Sequence, residues 1–235
     1  MKKGLVFRCF SPPIMVATFT LEILFAVYHV WRYKMNVAIR LVVATLVFLG
    51  LFQIAEYFVC GGLGMSHSTW SRIGYASITT LPPIGLHLVH VIAKKTGRTL
   101  TWISYASGIA FVVYFLAYSG AFQGYECTGN YVIFQLGDNP SLFYGAYYYG
   151  WLAVTIGLAL RWRMSKIISA VRKNALKWML IGYGVFLIPT AIANTVKVES
   201  RDGVPSVMCG FAILYAIILT VKVVPTLTTK KDLRV

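Results

Sequence analysis

The sequence predicts an all-α integral membrane protein, a bundle of seven transmembrane helices. Three observations carry that prediction. Of 235 residues, 58% are apolar or aromatic and only 12% are charged, where soluble domains run to about half and about a quarter. Seven segments are long and apolar enough to cross a hydrocarbon core of roughly 30 Å, which takes about 20 residues each. The 22 Lys and Arg outnumber the 7 Asp and Glu, and they divide unevenly between the two sides of those segments. Disorder is excluded by 15 Tyr, 14 Phe and 6 Trp, and nucleic-acid binding is a poor use of charges that must first be placed about a bilayer.

Taken in order, the spans run from Pro12 to Trp31, Val37 to Cys60, Ile73 to Ala93, Leu100 to Phe122, Leu142 to Leu160, Leu176 to Val196 and Val204 to Val223. Together they form a single domain over residues 1–235. The apolar stretch near the N-terminus is longer than the h-region of a signal peptide and no small-residue cleavage site follows it, so it reads as span one. Six Lys and Arg fall on the side holding the N-terminus, sixteen on the other. By the positive-inside rule the N-terminus is outside and the C-terminus cytoplasmic, in a plasma membrane crossed many times.

The four cysteines, Cys9, Cys60, Cys127 and Cys209, all map to the outer side, where disulfides persist. The preferred pair is Cys60 with Cys127, tying the long loop after span four to the end of span two; Cys9 with Cys209 is the possible second pair. That loop, Gln123 to Ser141, is punctuated by Gly124, Gly129, Gly137 and Pro140, and Tyr131 to Gln135 reads as a short strand. A connection of this length is often a lid or binding element. Phe143, Tyr144, Tyr147, Tyr148, Tyr149 and Trp151 follow it. An interfacial belt accounts for most of them, and those facing inward would wall an outward-facing pocket.

Ionisable residues inside a span are costly and point to function. Glu22 lies at mid-membrane in span one, with His29 on the same helix face. Gln53 and Glu56 share a face near the outer end of span two, and Asn194 lies near the outer end of span six. Glu56, Gln53, Asn194, Tyr144, Tyr148 and Trp151 are therefore the expected ligand-binding set, and Glu22 the expected proton or ion position. His29 in span one and His87 and His90 in span three lie at one depth, counted at about 1.5 Å per residue, near the cytoplasmic face. They are the weak candidates for a metal or haem. Retinal chemistry is not expected, since the single lysine of span seven, Lys222, sits at its cytoplasmic end. No cofactor and no catalytic residue is expected.

Two mechanical features complete the reading. Pro82-Pro83 breaks span three and Pro189 offers a kink in span six. The basic loop from Arg161 to Lys177 interleaves six cationic residues with apolar ones and would lie against anionic lipid or dock a partner.

Val47 through Cys60, the Trp70-Ser-Arg72-Ile-Gly-Tyr75 run, Pro82-Pro83, His87 and Thr96-Gly-Arg98 resemble the seven-helix N-terminal sensory module of bacterial sensor histidine kinases. Cys9-Phe10-Ser11 with Gln53-x-x-Glu56 is similar to an uncharacterised group of bacterial seven-helix membrane proteins. The first resemblance implies a sensor; since no kinase domain follows Val235, it would signal through a separate cytoplasmic or membrane partner. The expectation is a ligand-binding or sensory membrane protein for an unknown small ligand. The rivals are a transporter or channel using Glu22 and a metal or haem redox enzyme using His29, His87 and His90.

Overall fold

The computed structural model describes residues 12–61, 64–127, 132–196, 204–228 and 232–233. Seven helical rods form the bundle. They are α1 (Pro12–Arg32), α2 (Val37–Gly61), the broken pair α3 (His67–Thr79) and α4 (Leu81–Ala93), and α5 (Arg98–Ala117). After the strands β1 (Phe122–Cys127) and β2 (Val132–Leu136) come α6 (Asp138–Met164), α7 (Ala170–Val196) and α8 (Val204–Ile218). A π-helical turn (Leu219–Val223) extends α8 into α9 (Val224–Leu227). Six rods are long and apolar enough to cross a membrane: α1, α2, α3 with α4, α5, α7, and α8 with its extension. The 27-residue α6 is as long, but its four tyrosines lower its hydropathy, and it is not among the six.

Local chemistry sets the helix ends. Asn36 caps α2, its Oδ1 accepting from the Ile39 N–H at 3.0 Å, and Ser66 caps α3, its Oγ accepting from the Thr69 N–H at 3.2 Å, each satisfying a donor that the first turn leaves unpaired. Arg72 donates its Nε to the Phe115 carbonyl at 2.9 Å and its Nη2 to the Leu116 carbonyl, so a cation covers the acceptor end of α5.

Large apolar side chains cover much of the exterior, and polar ones are held inside. Leu24, Val27 and Trp31 on α1, Trp102, Ile109 and Val113 on α5, and Ile188 and Ile192 on α7 are all exposed. Glu22, His29, Gln53, Glu56 and Ser104 are buried. A contiguous apolar exterior of this extent marks a membrane or partner surface, and polar groups of membrane helices face the bundle interior.

The interior has two parts. One apolar cluster joins α1, α2, α4, α6, α7 and α8 around Val42, Leu46, Leu176, Met179 and Leu219. The other, at the end bearing β1 and β2, is aromatic: Phe52, Tyr75, Phe115, Phe134, Tyr144 and Tyr147.

Two differences from the sequence expectation matter for function. The helix of span four stops at Ala117, not Phe122, because the chain turns through Ser119–Ala121 into β1. The expected single strand is β2, shifted by one residue to Val132–Leu136, and it pairs antiparallel with β1. The resulting hairpin buries Val132 and Phe134, setting Phe134 5.2 Å from the Tyr75 ring and 6.0 Å from Phe52. It is a plug over the aromatic end of the bundle, and Cys60–Cys127 staples the turn end of β1 to the end of α2. His67 completes the closure, donating Nδ1 to the Val59 carbonyl at 2.6 Å and stacking on Tyr125 at 4.7 Å.

Candidate functional site

The break in span three is the feature that organises the interior. Pro82 and Pro83 have no N–H, so the carbonyls of Ile78 and Thr79, four residues earlier, lose their helical donors. The Thr80 N–H turns back to the Ser77 carbonyl at 3.2 Å. Thr79 is rescued from another helix: the Tyr147 hydroxyl on α6 donates to its carbonyl at 2.6 Å. The Thr79 hydroxyl donates to Tyr75 O at 2.6 Å and lies 3.1 Å from the Tyr144 hydroxyl. Gly108 of α5 permits this approach, since a Cβ there would stand 2.9 Å from the Tyr147 hydroxyl and 3.1 Å from Pro83 Cγ. Tyr147, which sequence reasoning grouped with the aromatic belt, is thus a structural clamp. The signal that could have found it is arithmetic: two consecutive prolines imply two orphaned carbonyls in search of donors.

Glu22 sits at the middle of α1 and is fully buried. Among the described residues neither of its carboxyl oxygens has a hydrogen-bond partner. Gln53 and Glu56, one turn apart on α2, are buried as well, and the Gln53 amide nitrogen is likewise unpartnered among the described residues. Cys209 on α8 connects this group to the rest of the core. Its buried thiol is free and within electrostatic reach of both Glu56 and Glu22; Tyr75 is within reach of Glu56 and Cys209. Tyr75 and Cys209 thus belong to the buried cluster that packs against the hairpin, with Glu56 within electrostatic reach of both and Glu22 within reach of Cys209. Cys9, the possible partner of Cys209, lies outside the described residues.

On its other side Cys209 forms part of the wall of a cavity of about 30 Å³ between α2, α4, α6, α7 and α8. Tyr148, Tyr183, Phe186, Tyr215 and Met208 line it with Cys209. A void of that size holds about one or two waters. Gly85, directly after the Pro82-Pro83 break, makes room for the Tyr183 hydroxyl, which a Cβ there would strike.

The expected ligand-binding residues divide accordingly. Glu56 and Gln53 belong to the acidic region, and Tyr148 lines the cavity. Tyr144 is buried against Tyr75, Phe111 and Phe115. Trp151 donates its Nε1 to Ser107 Oγ at 3.0 Å, joining α6 to α5. Asn194 falls on α7, but its side chain lies outside the described residues.

The three histidines are not brought together. His29 Nδ1 donates to the Phe25 carbonyl at 2.6 Å and the ring stacks on Tyr33 at 5.8 Å. His90 Nδ1 donates to Leu86 O at 2.9 Å, while His87 Nδ1 lies 3.2 Å from the Tyr105 hydroxyl. Among the described residues no three His, Cys, Asp or Glu side chains are placed to hold a metal ion. Equal depth fixed their level in the bundle but not their bearing around its axis, and the rings face different neighbours.

Comparison with family profiles, with curated proteins and with solved structures finds no match to this chain.

Proposed function

We propose that this chain is a seven-span protein of the plasma membrane, N-terminus outside and C-terminus cytoplasmic, that binds a small ligand beneath the outer hairpin and signals through a separate partner. The observation that carries the reading is Glu22. A fully buried carboxyl without a hydrogen-bond partner among the described residues is costly in a low-dielectric interior, and such groups in membrane helices mark functional positions. A neighbour strengthens the case, because the unpartnered Gln53 amide offers a ligand a second polar anchor. Supporting signal transfer, the helix break at Pro82-Pro83 touches both the hairpin-facing cluster and the cavity wall through Tyr147 and Gly85. A ligand would shift the bundle only by favouring one of two packings.

The test is a thermal-stability screen of small polar metabolites on the full chain in lipid nanodiscs. Ligands that raise the midpoint of the natural sequence lose their effect in Glu22→Gln; ligands that stabilise both proteins equally refute the assignment. The mid-helix position of Glu22 also favours a second reading, transport. Flux of a stabilising ligand into proteoliposomes that vanishes in Glu22→Gln selects transport, and binding without flux selects sensing.

A further inference from the structure

We propose that an anionic phospholipid binds by its phosphate between Lys177 and Lys222, at the end of the bundle opposite the hairpin. Lys177 stands on α7 and Lys222 in the π-helical turn that continues α8, two rods that pack against each other. Their ammonium nitrogens lie 5.6 and 5.2 Å from the centroid of one half-buried ring, that of Trp178, within the range of a cation–π contact. Such contacts gather the cations without engaging their N–H groups on oxygen, so the three donors of each ammonium stay available to an anion. Both lysines are exposed, and neither has a carboxylate partner among the described residues. The single π-helical turn that carries Lys222 is a rare form, found frequently at functional sites.

The placement of the acids favours an outside anion. Of the seven acidic residues, Glu22 and Glu56 are buried within the bundle, Glu126 is on β1 and Asp138 opens α6 at the hairpin end, and Glu199 and Asp202 lie outside the described residues. Asp232 alone among them is at the lysine end, held beside α1 by the Lys34 N–H on its carbonyl at 2.8 Å. Two like charges gathered on one ring repel each other, and a phosphate turns that repulsion into attraction. What lies beyond the pair selects lipid over a free anion. Ile181, Ile188 and Ile192 follow Lys177 on one face of α7, and Leu214, Ile217 and Val221 precede Lys222 on α8; all six are exposed. An anion seated on the lysines therefore has apolar surface leading away from it along both rods, as a head group with acyl chains requires. Basic positions between membrane helices are where anionic head groups bind.

Native mass spectrometry of the full chain, released from nanodiscs of equal parts phosphatidylglycerol and phosphatidylcholine, tests the site. The natural sequence retains phosphatidylglycerol in preference. Each lysine near a membrane surface is worth about fivefold in affinity for anionic lipid, so Lys177→Gln with Lys222→Gln, checked for an unchanged unfolding midpoint, lowers the preference by up to about thirtyfold. Lys177→Arg with Lys222→Arg keeps it. The control is Lys166→Gln with Lys173→Gln, which removes the same charge from the neighbouring basic segment and leaves the preference within about twofold. Equal retention of the two lipids by the natural sequence overturns the proposal. An equal loss in the control also overturns it, since the preference then comes from the net charge of the surface. Displacement of the bound phosphatidylglycerol by inorganic phosphate assigns the lysines to a free anion and overturns the lipid. The site is separate from the region beneath the hairpin, so its failure leaves the ligand-binding reading standing.

Discussion

Replacing Tyr147 by Phe removes one oxygen atom and tests whether the broken helix is held as described. The hydroxyl donates to the Thr79 carbonyl at 2.6 Å, in a place where Tyr147 is 7% exposed and Thr79 is fully buried. Leaving a buried acceptor unsatisfied costs about 1–3 kcal/mol in soluble proteins. Hydrogen bonds between membrane helices measure less, averaging about 0.6 and reaching about 1.7 kcal/mol, because the unfolded chain in lipid finds substitute partners. Here the usual substitute is absent, since the residue that would donate to Thr79 within the helix is Pro83. The expected loss is therefore toward the upper part of the membrane range, about 1–2 kcal/mol. The ring itself is retained, so its packing 4.8 Å from Phe111 is unchanged. Tyr149→Phe is the control, losing only a 3.6 Å contact to the Met208 sulfur, and should cost under about 0.5 kcal/mol. Reversible unfolding in mixed detergent and lipid micelles reads both. Equal stability of Tyr147→Phe and the natural sequence would refute the claim that this hydroxyl replaces the missing proline donor.

Other perturbations address the remaining parts. Gly108→Ala places a Cβ 2.9 Å from the Tyr147 hydroxyl and 3.1 Å from Pro83 Cγ and should destabilise by about 1–3 kcal/mol through overpacking, whereas Gly145→Ala on α6, with open space around its Cβ, should be neutral or stabilise by up to about 1 kcal/mol. Cys60→Ser with Cys127→Ser opens a cross-link spanning 67 residues, for which chain entropy allows at most about 4 kcal/mol; hydrogen exchange should rise in residues 122–136 while the helices stay protected, and unchanged exchange in the hairpin would remove its role as a stapled plug. Reporters fused to the two ends should place the C-terminus in the cytoplasm and the N-terminus outside, and a periplasmic C-terminus would invert the topology.

Much of the scaffold was legible because helix length and hydropathy are local properties. Pro12–Arg32 and Val37–Gly61 lie within a residue of the segments expected from composition alone, and the Cys60–Cys127 bridge is the pairing preferred among four cysteines on one side because it ties the long loop to the end of span two. What the sequence hid depends on rotation and on pairing. Strand β1 carries Gly124 and Glu126 and has little strand character by itself; it exists because β2 lies beside it and because Phe122 can bury against Tyr75 at 5.0 Å. Depth along a helix placed Glu22, Glu56 and Cys209 only as separate points on three rods, and the azimuth that turns them toward one region is set by packing. The same limit separated His29 from His87 and His90. Tyr147 was hidden for another reason: its partner is a backbone carbonyl whose need arises from prolines four residues downstream in a different helix.

The central claim is that the buried carboxyl of Glu22 exists to hold a small molecule. It is tested most directly by extracting the full chain from its membrane into lipid nanodiscs, denaturing it, and measuring released small molecules by mass spectrometry beside Glu22→Gln prepared identically. The account predicts a compound present in near-stoichiometric amount with the natural sequence and depleted in Glu22→Gln, whereas identical small-molecule profiles from the two proteins would contradict it.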